Sequence, residues 1–480
     1  MAKMSRPQRV RDPIHNLIEF DGGQFESMLW RVIQTRPFQR LRRIRQLGFS
    51  ELVYPGATHT RFAHSLGVFH TARRLMRIIR HHIKANGGYV EQNKADVAVA
   101  AALVHDLGHG MLSHAFEDIG EKLGLKMAHH EHVSDVLIRD GEVARELATF
   151  RPSFPGEVAD VIGRGRPTNL YDAVVSSQFD ADRLDYMQRD RLMAGVQNSG
   201  IDFEWLLANL EIGTVATGVD GQQLEDVETF VLGPKAIRAA ETYVLALFQL
   251  YPTVYHHKAT RAAEKLFSAL MIRLITLMRD GAMEEVTGLS ARHPFARFAK
   301  DADSVENALA LDDTVFWGSL GMLCDAKDAQ IRECAIQLRD RKLPKSVDIR
   351  GQLVASVKGM KADTPAERNE IKRRLNRLTE NIENALNAWS QSKSTGAPRI
   401  LVDREERVPY KLLDESKGPL NQIRIKTDDG QIRDMAEVSS VVSSIETFKL
   451  FRAYIKAGDH EAKAAADAIV AEELGRTDND

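Results

Sequence analysis

Cysteine is scarce in this chain. Two residues in 480, Cys324 and Cys334, make neither a disulfide framework nor a zinc ribbon. Any metal ion would therefore have to be held by histidine and carboxylate. Long apolar runs are missing as well: no stretch approaches the roughly 20 residues that span a bilayer. The opening Met-Ala-Lys-Met-Ser-Arg-Pro has no hydrophobic signal core, so a cytoplasmic location without a membrane partner is expected. Nor is there an excess of either charge. The 65 Lys+Arg face 67 Asp+Glu, a formal net charge of -2, which argues against a general nucleic-acid coat protein. Internal repeats and low-complexity blocks are absent. What is left, 43% hydrophobic and 28% charged, is the profile of a soluble globular protein long enough for one large core or two to three domains.

The most informative stretch is the small-aliphatic run Val97–Val104, which reads as a buried helix and ends in His105-Asp106-Leu-Gly-His109-Gly110. Successive helical side chains diverge by roughly 100°, so His105 and Asp106 can converge only on something at the helix end. A metal ion accepts an imidazole nitrogen and a carboxylate oxygen together. An isolated pair of this kind would more simply be a capped helix end with a core histidine. Three other stretches accompany it: Arg61-Phe-Ala-His64-Ser-Leu-Gly67; a histidine-dense segment with His109, His114, Glu117, His129, His130 and His132; and Asp180-Ala-Asp182-Arg183-Leu-Asp185-Tyr186. Asp182, Tyr186 and Asp190 recur every four residues as one polar stripe, which alone would describe a salt-bridged surface helix. Together, His64, His105, Asp106 and Asp182 suit one divalent cation (Mn, Fe, Mg, Zn or Ni) with room for water. Arg61 and Arg183 would neutralise phosphate charge, and a protonated histidine would assist a leaving oxygen. The chemistry is metal-assisted phosphoester or phosphoanhydride hydrolysis.

Along the chain, residues 9–20 suggest a hairpin, and 24–47 two helices separated near Pro37. A helix capped near Thr60 should run over 61–83, and further helices over 112–124, 129–139, 142–150, 156–163, 170–193, 203–210, 234–280 and 301–342. Gly213–Gly221 reads as a loop with strand character, 363–392 as a charged helix, 399–403 and 420–426 as strands, and 443–456 as a helix. The expected organisation is a core over 1–345, a charged helical segment over 346–395, and a small α+β region with a frayed tail over 396–480. The cluster Arg36, Arg40, Arg42, Arg43 and Arg45 reads either as a solvated face or as a phosphate-binding surface.

The order of these motifs, with Thr60-Arg61-Phe62-Ala63-His64-Ser65-Leu66-Gly67, His105-Asp-Leu-Gly-His-Gly110 and Asp180–Tyr186, resembles the HD-domain phosphohydrolases. Within them it is similar to the deoxynucleoside triphosphate triphosphohydrolases, with Asp12-Pro13-Ile14-His15, Phe38–Arg42 and Tyr54–Ala57 adding to the likeness. The resemblance implies a mostly α fold, an HD-domain helical core with a small α+β C-terminal region. It also implies hydrolysis of a dNTP to deoxynucleoside and tripolyphosphate by metal-activated water at the α-phosphorus. His64, His105, Asp106 and Asp182 match the family's metal ligands. Arg61, His109, His114 and Arg183 match groups around the triphosphate, and His130 with Glu117 the catalytic histidine and its acidic partner. Tyr186 and Asp190 match contacts to the sugar 3′-hydroxyl, Gln46 and Leu47 residues beside sugar and base, and Tyr255 the ring that blocks a 2′-hydroxyl. Gln39, Arg42, His257 and Lys258 match activator contacts. Gln34 stands where the family's guanine-reading aspartate lies, and an amide cannot accept from both guanine donors, which leaves the activator's identity open. Relatives form dimers, tetramers or hexamers, so a homo-oligomer is implied. Control of the dNTP pool and defence against phage both fit the chemistry. Two other readings share the residues: a hydrolase of another nucleotide or nucleic-acid phosphoester, and a non-catalytic nucleotide- or nucleic-acid-binding regulator.

Overall fold

A computed structural model describes residues 6–197, 200–219, 222–360, 362–410 and 422–476; side chains are described for all of these except 217–219 and 222–225. The fold is mostly helical, with three small sheets. No helix among the described residues is long and apolar enough to cross a membrane.

The chain forms two compact units built from interleaved segments. One comprises Met1–Val254, Asp303–Asp313 and Val408–Glu446; the other Tyr255–Ala302, Thr314–Arg407 and Thr447–Asp480. These units cut across the divisions at 345 and 395 that the sequence suggests, because composition marks linkers but not which distant segments pack together.

In the first unit, the expected hairpin forms between Gln8–Asp12 and Asn16–Phe20, antiparallel. Its turn closes where Asp12 Oδ1 accepts the Ile14 and His15 amides at 2.9 and 3.0 Å, the local bonding that makes Asp a turn former. The helix Gln24–Gln34 stops at Thr35, and Pro37 sits in the first turn of the next helix, Arg36–Arg40, where its missing N–H costs nothing. The long helix Arg61–Ala85 begins at Thr60, whose side chain accepts the Ala63 amide. The helix Gln92–Val104 is buried on every side from Ala95 onward, as its small-aliphatic sequence demands. Around these lies one core that includes Phe38, Leu66, Phe69, Val99, Leu103 and Leu184. Sequence periodicity runs separate elements together: the helix expected over 234–280 is two, Ile237–Leu250 and Lys258–Arg279, with the π-helical turn Tyr251–Tyr255 between them in sequence. The helix expected over 170–193 is a short 3-10 turn, Asp172–Val174, and then a separate helix, Ala181–Ala194. Asp180 makes the break by capping the second helix through the Arg183 amide at 2.8 Å. The segment expected over 213–221 as a loop with strand character is a strand in its described part, Leu210–Val219 pairing with Gln222–Leu232, and residues 220–221 lie outside the described residues. Arg424–Lys426 and Ile432–Asp434 complete this sheet, and residues 420–421 of the strand expected there lie outside the described residues.

The second unit carries the helix Tyr255-flanking Lys258–Arg279, the charged helix Pro365–Lys393 and the tail helix His460–Gly475. Its three-stranded sheet places Phe448–Ile455 between Lys345–Asp348 and Ile400–Arg407, both antiparallel to it. The helix expected over 443–456 is thus a strand: Leu450, Phe451, Ala453, Tyr454 and Ile455 are buried, and two flanking strands outweigh local helix preference. The frayed end expected at the C-terminus, 477–480, lies outside the described residues.

Candidate functional site

Three helix termini of the first unit meet at one place. His64 comes from the first turn of Arg61–Ala85, His105 and Asp106 from just past Gln92–Val104, and Asp182 from the first turn of Ala181–Ala194. Asp182 Oδ1 lies 2.9 Å from His64 Nε2 and 3.6 Å from His105 Nε2. Asp106 approaches His105 Nε2 at 3.2 Å through Oδ1 and His64 Nε2 at 3.6 Å through Oδ2. All four residues therefore converge.

The back of each ring decides what its front can do. His64 Nδ1 donates to Asp185 Oδ2 at 2.8 Å, and His105 Nδ1 to the Ala102 carbonyl at 2.9 Å. With Nδ1 committed in each ring, both Nε2 atoms point inward, buried and without a hydrogen bond of acceptable geometry, so each can give a lone pair to a cation in place of a proton. Burial opposes a charged imidazole here, yet Asp182 and Asp185 push His64 up to about 10. The carboxylates ask for positive charge between them. One atom each from His64, His105 and Asp182 lies within 4.8 Å of the others, so the group can hold a metal ion, and its N and O donors fit a divalent cation.

A second set of groups buttresses these. Asp185 also receives His15 at 2.7 Å and Arg189 Nε and Nη2 at 2.8 and 2.9 Å, while Arg189 Nη1 donates to Asp12 Oδ2 at 2.8 Å. Arg189 and Asp185 are 0% exposed. Desolvating such charges costs several kcal/mol each, so only a fully paired arrangement is tolerable. Despite its own burial, Asp185 stays well below the usual carboxylate range because Arg189, His15 and His64 surround it. Gly67 makes the room, since a Cβ there would fall 1.9 Å from Asp185 Oδ1. Asp185→Asn is expected to weaken divalent-metal affinity by about 10–100-fold, as losing an outer carboxylate partner does elsewhere. Competition with a chromogenic chelator measures it, and an unchanged affinity would remove Asp185 from the metal centre.

Beside this cluster stands the histidine group. Glu117 is held by His130 Nδ1 on Oε1 and by His114 Nδ1 on Oε2, the latter at 2.7 Å. These bonds outweigh burial and keep Glu117 ionised far below the ordinary carboxylate range. His109 stacks on His130 with centroids 4.0 Å apart and planes at 9°, and reaches Asp106 Oδ1 at 3.3 Å through Nε2. Burial, with Arg61 and His130 nearby, drives His109 well down and leaves it neutral. The group formally counts as a possible metal cluster. His109 Nδ1, buried without a hydrogen bond, lies 3.9 Å from the same Glu117 oxygen that His130 Nδ1 meets. Gly108 lets the segments close: a Cβ there would fall 2.1 Å from the His130 carbonyl.

Arg61 is 4% exposed, donating to Asp106 Oδ2 at 2.7 Å and Ser113 Oγ at 3.1 Å. Arg183 sits over its own cap, Nε 3.6 Å from Asp180 and Nη1 3.4 Å from Gln178. Asp180 is pushed up to about 7, mainly by burial. Tyr186 shares the Asp182 face and is half-buried, whereas Asp190, at the end of that stripe, is buried against His59 Nε2 at 2.8 Å. The Gln46 side-chain oxygen is buried with no hydrogen-bond partner, and Leu47 next to it is half-buried. His129 caps the helix His130–Arg139 through its backbone, and His132 on that helix is exposed.

The arginine cluster is mostly occupied within the fold. Arg40 donates to the Leu311 carbonyl at 2.9 Å and Arg43 to Asp312 at 2.6 Å, and Arg45 contacts Glu51 and the Thr58 carbonyl. Arg42 lies 3.5 Å over the Phe62 ring and bonds Gln39, which itself donates to the Ile33 carbonyl. Gln34 is exposed. Tyr255, His257 and Lys258 belong to the second unit: Tyr255 is half-buried at the end of the π-helical turn Tyr251–Tyr255, His257 caps the following helix by accepting the Ala259 amide, and Lys258 is exposed.

Asp12, His15, His59, Asp185 and Arg189 carry much of the site's scaffolding; Asp12, His15 and Asp185 lie in stretches that the sequence singles out, while the roles of His59 and Arg189 are not readable there. An Asp and an Arg four apart read as an ordinary surface pair, and only Gly67 hints that something must pass close by.

Residues 61–187 match the HD domain family, and residues 221–308 the HD associated region. The uncharacterized protein YwfO of Bacillus subtilis is 28% identical over 92% of this chain and 90% of its own length. The deoxynucleoside triphosphate triphosphohydrolase SAMHD1 of Mus musculus is 27% identical over 95% of this chain and 69% of its own length. A phosphohydrolase from Bacteroides thetaiotaomicron shares the fold, with a TM-score of 0.67 at 23% identity across 94% of this chain and 99% of that one. The HD motif residues gathered at one point thus lie within an HD domain, which an HD associated region follows in sequence.

Proposed function

We propose that this HD phosphohydrolase cleaves deoxynucleoside triphosphates to deoxynucleoside and tripolyphosphate, with His64, His105, Asp106 and Asp182 as the metal ligands. The observation that carries the reading is the pair of buried Nε2 atoms, neither in a well-aligned hydrogen bond, that face the Asp106 and Asp182 carboxylates. A divalent cation held there supplies an activated water and neutralises phosphoryl charge. The chain's own residues do the rest. Arg61 and Arg183, the former joined to the cluster through Asp106, bind the triphosphate oxygens. His130, its Nδ1 fixed by Glu117, delivers a proton to the departing 5′-oxygen as the bond from that oxygen to the α-phosphorus breaks. Water contributes the new oxygen on phosphorus, so the products are a free 5′-hydroxyl and intact tripolyphosphate. His109 and His114 line the triphosphate path, Tyr186 and Asp190 the sugar, and Gln46 and Leu47 the sugar and base.

The relative named for this activity supports the substrate class at 27% identity. With the reading go a homo-oligomeric state, a Tyr255 ring that excludes a 2′-hydroxyl, and nucleotide regulation through Gln39, Arg42, His257 and Lys258. The regulator-only alternative is weakened, since Arg40, Arg43 and Arg45 are engaged within the fold. The test is tripolyphosphate release from each dNTP, singly and in pairs, against each NTP and single-stranded DNA, after metal analysis of the purified protein. The expected outcome is release from dNTPs in preference to NTPs. Turnover of another phosphoester alone would replace the substrate assignment.

A further inference from the structure

We propose that Asp313, far in sequence from every motif, is a positioning residue that sets the geometry of the loop between His109 and His114. Both carboxylate oxygens are spent on backbone: Oδ1 accepts the Leu112 amide at 2.7 Å and Oδ2 the Arg45 amide at 2.8 Å. The residue is 4% exposed. Leu112 and Ser113 both adopt φ of 56°, a left-handed conformation that neither side chain favours and that must be imposed by surrounding bonds. Ser113 is also where the loop meets the site. Its Oγ donates to the Arg45 carbonyl at 2.8 Å and accepts Arg61 Nε at 3.1 Å, while Arg61 Nη1 holds Asp106. The next residue is His114, partner of Glu117.

Asp313 therefore staples two segments, one carrying Arg45 and Gln46 and the other carrying Ser113 and His114. Its neighbours reinforce the staple, with Asp312 on Arg43 and the Leu311 carbonyl on Arg40. An exposed loop with no catalytic neighbour would gain little from a buried carboxylate given two amides. Here the expense fixes the aim of Arg61 and the start of the helix that bears His114 and Glu117. Burial raises Asp313 to about 6, while the Leu112 and Arg45 amides pull the other way by bonding its charged form.

Asp313→Asn tests this, because an amide presents a donor to one of the two N–H groups and loses that bond. The folded variant is expected to keep one metal per chain. Amide hydrogen exchange should accelerate at least about 10-fold in peptides covering 43–47 and 110–115 and nowhere else, and kcat/KM should fall by about 100-fold, the cost of misplacing a catalytic group by roughly an ångström. Unchanged exchange in those peptides, unchanged catalysis, or loss of the metal would each overturn the proposal. If Asp313→Asn does not fold, Ser113→Ala decides: it is expected to show the kinetic loss with metal retained, and wild-type kinetics would overturn the idea. The kinetic arm rests on the hydrolase reading. Should the wild type turn over no phosphoester, that reading fails, and the exchange measurement still decides the role of Asp313.

Discussion

Asp182→Ala is expected to give a folded protein that no longer retains a divalent metal and has lost phosphoester hydrolysis. Folding should survive, because the helix Ala181–Ala194 is capped by Asp180 and Asp182 is only half-buried at its first turn. The metal should not survive, because Asp182 Oδ1 is the carboxylate atom nearest His64 Nε2 and also lies within 3.6 Å of His105 Nε2. Removing it leaves two imidazoles and Asp106, whose Oδ2 is already taken by Arg61. The loss should exceed the about 10–100-fold that an outer partner costs. Metal analysis after gel filtration, set beside the hydrolysis rate and a melting curve, reads all three quantities. A variant that holds one metal per chain and turns over normally would dissolve the assigned centre.

His130→Asn should separate proton delivery from metal binding. The metal stays, KM changes little, and kcat drops by about 10²–10⁴-fold, the usual worth of a positioned general acid. The basis is orientation: Glu117 holds His130 Nδ1 and also His114, while His109 stacks on the ring at 4.0 Å. Comparing a substrate whose leaving oxygen needs a proton with a p-nitrophenyl ester whose leaving group does not makes the role visible. The variant should be crippled on the first and close to wild type on the second. An equal loss on both would mean that His130 positions substrate or supports the fold.

The parts of the site legible in sequence are those where chemistry and spacing coincide. His105-Asp106 at the end of an apolar helix is conspicuous because that helix has no polar face of its own, and it is buried as expected. His64 falls one turn into a helix whose Thr60 cap is equally readable. The scaffolding was less accessible. Asp185 and Arg189 look like a surface pair yet are fully buried, because Asp12 and His15 from the N-terminal hairpin reach across 170 residues or more to meet them. The strand Phe448–Ile455 read as a helix for a related reason: its partners, Lys345–Asp348 and Ile400–Arg407, are not adjacent in sequence.

The sequence by itself determined the likeness to the HD domain and the mostly helical class, because residue chemistry and helical period are local properties of a chain. Only the tertiary structure decided that Asp182 closes on His64, that the arginine cluster is spent inside the fold, and that Asp313 grips a left-handed turn beside the site. Those outcomes depend on contacts between residues tens to hundreds of positions apart, and no local period encodes which of them will meet.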